Sequence, residues 1–167
     1  KNAFLLADDA VIEGVLIPTK KRMTACVSVQ VGCSLDCAFC ATGKLKRIRN
    51  LNADEIYDQV VMINDQSKKE YNLPISNIVY MGMGEPLLNY SNVLKSVDRI
   101  TSQNGLGMSP KRITISTAGI HKKIIRLADD GVKFNLALSL HAANDEKRNK
   151  IMPINESNSL GALKDAM

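Results

Sequence analysis

Three cysteines, Cys33, Cys37 and Cys40, fall inside the short stretch GCSLDCAFCATG, residues 32 to 43. A Cys-x3-Cys-x2-Cys loop wraps three thiolates around one inorganic cluster, because its two short spacers let each sulfur reach a different iron. In a four-iron cube held by three thiolates one iron stays open to a substrate, which separates a catalytic cluster from an electron carrier. Zinc is the rival, with Cys26 as a fourth thiolate. Against zinc, the gap between Cys26 and Cys33 runs along a predicted strand, whereas four-cysteine zinc sites usually pair two short knuckles. All four cysteines of the chain lie between Cys26 and Cys40. Such clustering favours metal binding or catalysis over a disulfide framework, which scatters its pairs.

The elements that must position this loop follow from the pattern around it. AVIEGVLIP (10–18) and ACVSVQV (25–31) are Val-rich strand sequences, the second ending at Gly32. Asn52, with Glu55 three places on, caps a predicted amphipathic helix that runs to about Lys69, with Pro74 as its stop. NIVYMG (77–82), RITIST (112–117) and KFNLALSL (133–140) are predicted strands, and 90–104 and 121–131 are predicted helices. A short helix is predicted over 145–150, and LGALKDAM opens another. The alternation specifies an α/β fold with a parallel sheet, either open or an arc of an incomplete barrel. In such a sheet all strand C-termini share one edge, so CSLDCAFCATG, GMGEP, STAG and SLHAAND converge on one site.

Composition frames the chemistry. The chain has 167 residues, 45% of them hydrophobic and 23% charged, as expected of one globular domain. No apolar run approaches the ~20 residues that span a bilayer, and the first residues lack the pattern of a secretory signal. A cytoplasmic, membrane-free protein is the expectation. The formal charge is +5. Lys20, Lys21 and Arg22 precede the cysteine loop and Lys44, Lys46, Arg47 and Arg49 follow it, a grouping that suits a phosphate-bearing substrate.

CSLDCAFC resembles the cluster loop of the radical S-adenosylmethionine superfamily, including the aromatic Phe39 before the last cysteine. The ordered set ACVSVQVGCSLDCAFCATG, RNLNADEIYDQV, VYMGMGEPLLNY, ITISTAGI and LALSLHAANDEKRNKIMPIN is more specific. It resembles the RlmN/Cfr-type RNA methyltransferases over about residues 10 to 155, departing from them at Lys46-Arg47-Ile48. The resemblance implies a partial (βα)6 barrel with parallel strands, truncated at its C-terminus. It implies a 4Fe-4S cluster on Cys33, Cys37 and Cys40, and S-adenosylmethionine held by Gly84, Glu85, Ser116, Ser139, Leu140 and His141. Taken singly, these glycines, serines and His141 have ordinary structural readings; their joint place beside the cysteine loop favours the functional one. His121 is read as structural.

The resemblance also implies an activity: methylation of carbon 2 of adenosine in 23S rRNA and tRNA. In that chemistry a cysteine near the C-terminus carries a methyl group whose carbon radical adds to the adenine. A cysteine matching Cys26 then breaks the protein–RNA link by forming a disulfide, and a glutamate matching Glu13 accepts the proton. An electron donor such as flavodoxin and a monomeric state belong to the same expectation. No cysteine follows Cys40. The methyl-carrying residue and an N-terminal RNA-binding domain are therefore expected outside residues 1–167, and this fragment is expected not to complete turnover. The alternatives are a carbon-8 adenosine methyltransferase and a non-catalytic zinc-bound RNA-binding module.

Overall fold

The computed structural model describes all 167 residues. It opens with a meander: β1 (Asn2–Leu5) pairs antiparallel with β2 (Val11–Pro18), and β2 antiparallel with β3 (Met23–Cys26). The segment predicted as one strand over 25–31 is broken after Cys26. Its end forms β4 (Gln30–Val31), which pairs with β5 (Arg49–Asn50) in a separate small sheet. The physical reason is polar: Ser28 and Gln30 are as buried as Val27 and Val29, and their polar groups bond to Gln59 and to the GMGEP segment packed around them. β4 and β5 close the base of the cysteine loop, helped by bonds from the Ile48 N–H to Val31 and the Cys33 N–H to Leu45.

Helix α1 (Ala53–Tyr71) begins where predicted. The Asn52 side chain accepts from the Glu55 N–H at 2.8 Å and Glu55 accepts in return from the Asn52 N–H at 2.9 Å, satisfying two orphan donors. It stops at Asn72 in the left-handed region, φ 55°, before Pro74 is reached. β6 (Asn77–Tyr80), α2 (Tyr90–Thr101), β7 (Ile113–Thr117), α3 (His121–Asp129) and β8 (Asn135–Leu138) follow, each shorter than its predicted span. The chain closes with α4 (Asp145–Ile151) and α5 (Leu160–Ala166).

The main sheet has the order β1-β2-β3-β6-β7-β8, with β3, β6, β7 and β8 parallel. That order never reverses. Crossovers of one hand then place successive helices on one face, which makes this sheet an arc of a barrel and not a doubly wound sheet. Alternation along the strands agrees: Ile78, Tyr80, Ile113 and Ile115 are buried against the helices, while Thr114 and Ser116 turn to the concave side and are half-buried. The core beneath the helices joins these residues to Ile56, Ile63, Val97 and Ile100. Each such side chain contributes about 1.5–3 kcal/mol by leaving water, and together they hold the strand ends in register.

Candidate functional site

The four polar segments meet. A cavity of about 300 Å³ is walled by Cys33, Cys37, Phe39 and Cys40, by Gly82, Gly84 and Glu85, by Ser116, Thr117 and Ala118, and by Ser139 and His141. These segments follow β4, β6, β7 and β8 and gather at the C-terminal edge of the parallel strands, where α/β sheets place their chemistry. The three loop cysteines are free thiols. Burial pushes the Cys33 thiol up and takes Cys37 to about 11. No three His, Cys, Asp or Glu side chains converge tightly enough to hold a single metal ion. Three thiols spread around one cavity, with Cys26 not among its walls, fit a polynuclear cluster better than a four-thiolate zinc ion.

GMGEP is pressed against the segment that feeds the cysteine loop. The Val29 and Gln30 N–H groups donate to the Met83 carbonyl, and the Met83 N–H donates to Ser28 Oγ at 2.8 Å. Gly84 adopts φ 97°, and a Cβ there would come within 2.5 Å of Gln30 Cβ. Only glycine fits both demands. Gln59 bonds the Ser28 N–H and carbonyl, and Asn89 donates to the Val29 and Leu51 carbonyls at 2.9 and 2.7 Å. These buried amides fix the approach to Cys33, and no local pattern marks them in the sequence.

Glu85 lines the cavity yet is only 3% exposed. Its carboxylate accepts from Thr117 Oγ1 and the Ala118 N–H, both at 2.7 Å, and from the Leu87 N–H at 3.0 Å. Burial raises its pKa and these bonds oppose the rise. Glu85 thus ties the end of β6 to the end of β7 while lining the cavity.

Ser116 Oγ lies 3.3 Å from Ser139 Oγ across the β7–β8 pair. His141 sits in the left-handed region, φ 58°, with its ring 4.2 Å from that of Phe39. Leu140 is different: its side chain is exposed, outside the cavity, and its carbonyl accepts from Arg148 Nε. Cys26 is buried at the end of β3, outside the cavity walls; burial raises its pKa. Glu13 stands on the solvent side of β2, paired with Lys1 at 2.8 Å, and is not among the residues that wall this cavity. His121 bonds Asn158 through its backbone N–H and its ring, a structural role as expected.

The charges that bracket the loop in sequence do not bracket it in space. Lys20, Lys21 and Arg22 lie in the turn before β3, at the sheet edge opposite the cavity. Arg49 is engaged by Asp8 and Glu55. Lys44, Lys46 and Arg47 remain, lining a second depression that shares Cys33 with the first. Met152 of the turn after α4 and the fully buried Arg148 are site neighbours that sequence reasoning missed.

Residues 27–167 match the sequence family described as the radical SAM superfamily. The chain belongs to that superfamily. Within it, the chain is 64% identical over its whole length to a protein of Christiangramia forsetii named probable dual-specificity RNA methyltransferase RlmN, and 62% identical to one of Flavobacterium psychrophilum with the same name. It covers 47% and 48% of those relatives, about half their length. A radical SAM methyltransferase from Sphaerobacter thermophilus, known from a crystal structure, superposes with a TM-score of 0.95 at 41% identity, over 98% of this chain and 48% of that one. The barrel arc and the cavity at its strand ends are thus a radical SAM core. No helix is long and apolar enough to cross a membrane.

Proposed function

We propose that this chain is the cluster- and cofactor-binding core domain of an RNA methyltransferase that methylates carbon 2 of adenosine in 23S rRNA and tRNA. The observation that carries the reading is the single cavity shared by three free thiols and three further strand ends, on a chain so similar to proteins named for RNA methylation. Cys33, Cys37 and Cys40 would hold a 4Fe-4S cluster as thiolates. Bound there with S-adenosylmethionine, it supplies one-electron radical chemistry. The Gly84–Glu85 backbone, the Ser116 and Ser139 hydroxyls and His141 would bind and orient the cofactor, with Leu140 contributing through its backbone. Cys33 and Cys37 pack on the buried apolar side chains of Leu35, Ala118 and Met152. Cys26 is the thiol assigned to resolving the protein–RNA link and Glu13 the base assigned to the adenine proton, both on the sequence resemblance. A cytoplasmic monomer reduced by a flavodoxin-like donor completes the reading.

Anaerobic reconstitution with iron and sulfide is expected to give a brown protein that cleaves S-adenosylmethionine when reduced, with Cys37→Ala colourless and inactive. Mass spectrometry of RNA digested after reaction with the complete gene product is expected to find methyl on carbon 2. Methyl on carbon 8 would replace that assignment, and a colourless zinc protein indifferent to S-adenosylmethionine would overturn the reading.

A further inference from the structure

Arg148 sits in α4 with none of its surface exposed, the largest side chain so buried in the chain. None of the seven ion pairs includes it. Its hydrogen-bond acceptors are all neutral: Nε donates to the Leu140 carbonyl at 3.0 Å, Nη1 to Asn155 Oδ1, and Nη2 to the carbonyls of Ala118 at 2.6 Å and Ser139 at 3.2 Å. The Asp145 carboxylate acts on Arg148 only at one remove, through the Asn155 amide that bonds both, and a buried cation without a directly paired anion is costly. Carbonyl dipoles offset part of that and leave the charge in place.

The guanidinium is aimed at the back of the cysteine site. Ala118 and Ser139, whose carbonyls it holds, both line the cavity. One turn further along, the Ile151 carbonyl accepts from the Ala38 N–H inside the cysteine loop. Leu35, Ala118 and Met152 form a buried apolar cluster on which Cys33, Cys37, Ile151 and Ile154 pack. This apolar cluster includes Ala118, whose carbonyl Arg148 holds, and in apolar surroundings a charge is screened far less than in water.

We propose that Arg148 is a fixed positive charge that raises the reduction potential of the iron–sulfur cluster held by Cys33, Cys37 and Cys40. The proposal rests on the cluster reading above. One electron from an external low-potential one-electron donor enters the cluster and no proton moves. The reduced cluster is the more negative state, so a cation held nearby stabilises it more than the oxidised state. The cluster's negative charge would also add to the partial compensation that Asp145 gives Arg148 through Asn155.

Asn155 offers a test that keeps the arginine. Its Nδ2 donates to Asp145 Oδ1 at 2.8 Å while its Oδ1 accepts from Arg148. Exchanging the two groups, Asp145→Asn with Asn155→Asp, preserves net charge and the hydrogen bond between them but sets a carboxylate against the guanidinium. EPR-monitored redox titration of the reconstituted complete gene product would compare the parent, this pair, Arg148→Gln and Arg148→Lys. The pair and the glutamine variant are expected to be about tenfold less reduced at a fixed solution potential, equivalent to about 59 mV for one electron, with lysine near the parent. Clusters bound with the parent's potential in both the exchanged pair and Arg148→Gln would overturn the proposal, since a merely structural arginine does not set a potential. If Arg148→Gln loses its cluster, the exchanged pair alone decides. A parent that binds no cluster refutes both this inference and the reading on which it rests.

Discussion

Glu85 and Gly84 belong to one short motif, yet their substitutions test different physics. Glu85→Gln keeps the shape of the side chain but turns one acceptor oxygen into a donor facing another N–H, because all three of its partners are donors. The loss expected is about 1–3 kcal/mol, the cost of leaving a buried group unpaired, read as a lower urea midpoint. Gly84→Ala meets both a left-handed backbone and the Gln30 side chain, whereas Gly107→Ala, at φ 58° with open space around it, meets only the first. Gly107→Ala is expected to cost about 1–2 kcal/mol and Gly84→Ala distinctly more; equal losses would show that Gln30 moves aside freely. The motif marks Glu85 as a site residue, but it cannot say that the carboxylate reaches Thr117 and Ala118, because only folding brings those residues near. Arg148 was hidden for the opposite reason. In DEKRNK it is one charge among several, and nothing local separates the buried arginine from its solvated neighbours.

The start of α1, the small β4–β5 sheet and the N-terminal hairpin are locked by one arginine. Arg49 bonds Asp8 at 2.7 Å and Glu55 at 2.8 Å, and Glu55 is also the returning half of the capping box. Bonding to Arg49 lowers both carboxyls, Asp8 to about 2. A depressed carboxyl contributes stability that is present above its unfolded pKa, about 4 for either residue, and lost as pH falls through the folded value. The stability gap between the parent and Arg49→Ala should therefore hold at pH 6 and shrink between about pH 4 and about 2, by urea denaturation at each pH. A gap that stays constant would remove the ion pairs as its cause. The cap and the helix were visible in Asn52 and Glu55 because capping is local chemistry. The break after Cys26 was not, since Val27, Ser28, Val29 and Gln30 are buried on every side and their alternation imitates a strand.

Across the molecule, the parallel strands and their shared edge followed from alternating element types, while the choice of a barrel arc needed the strand order itself. The same long-range information redistributes charge. Lys44, Lys46 and Arg47 lie beside Cys33 on the cluster side, and Lys20, Lys21 and Arg22 occupy the far edge. If RNA approaches the cavity, only the first group neutralises its phosphates. Each phosphate neutralised on a single strand contributes about 0.7 to the slope of log affinity against log salt. Replacing Lys44, Lys46 and Arg47 together by glutamine should weaken RNA binding and flatten that slope by about 2, measured by fluorescence anisotropy over a salt series. The same replacement at Lys20, Lys21 and Arg22 should leave the slope unchanged, although it removes the same net charge. Equal losses from the two triples would mean that RNA responds to overall charge and not to the face that carries the cysteines.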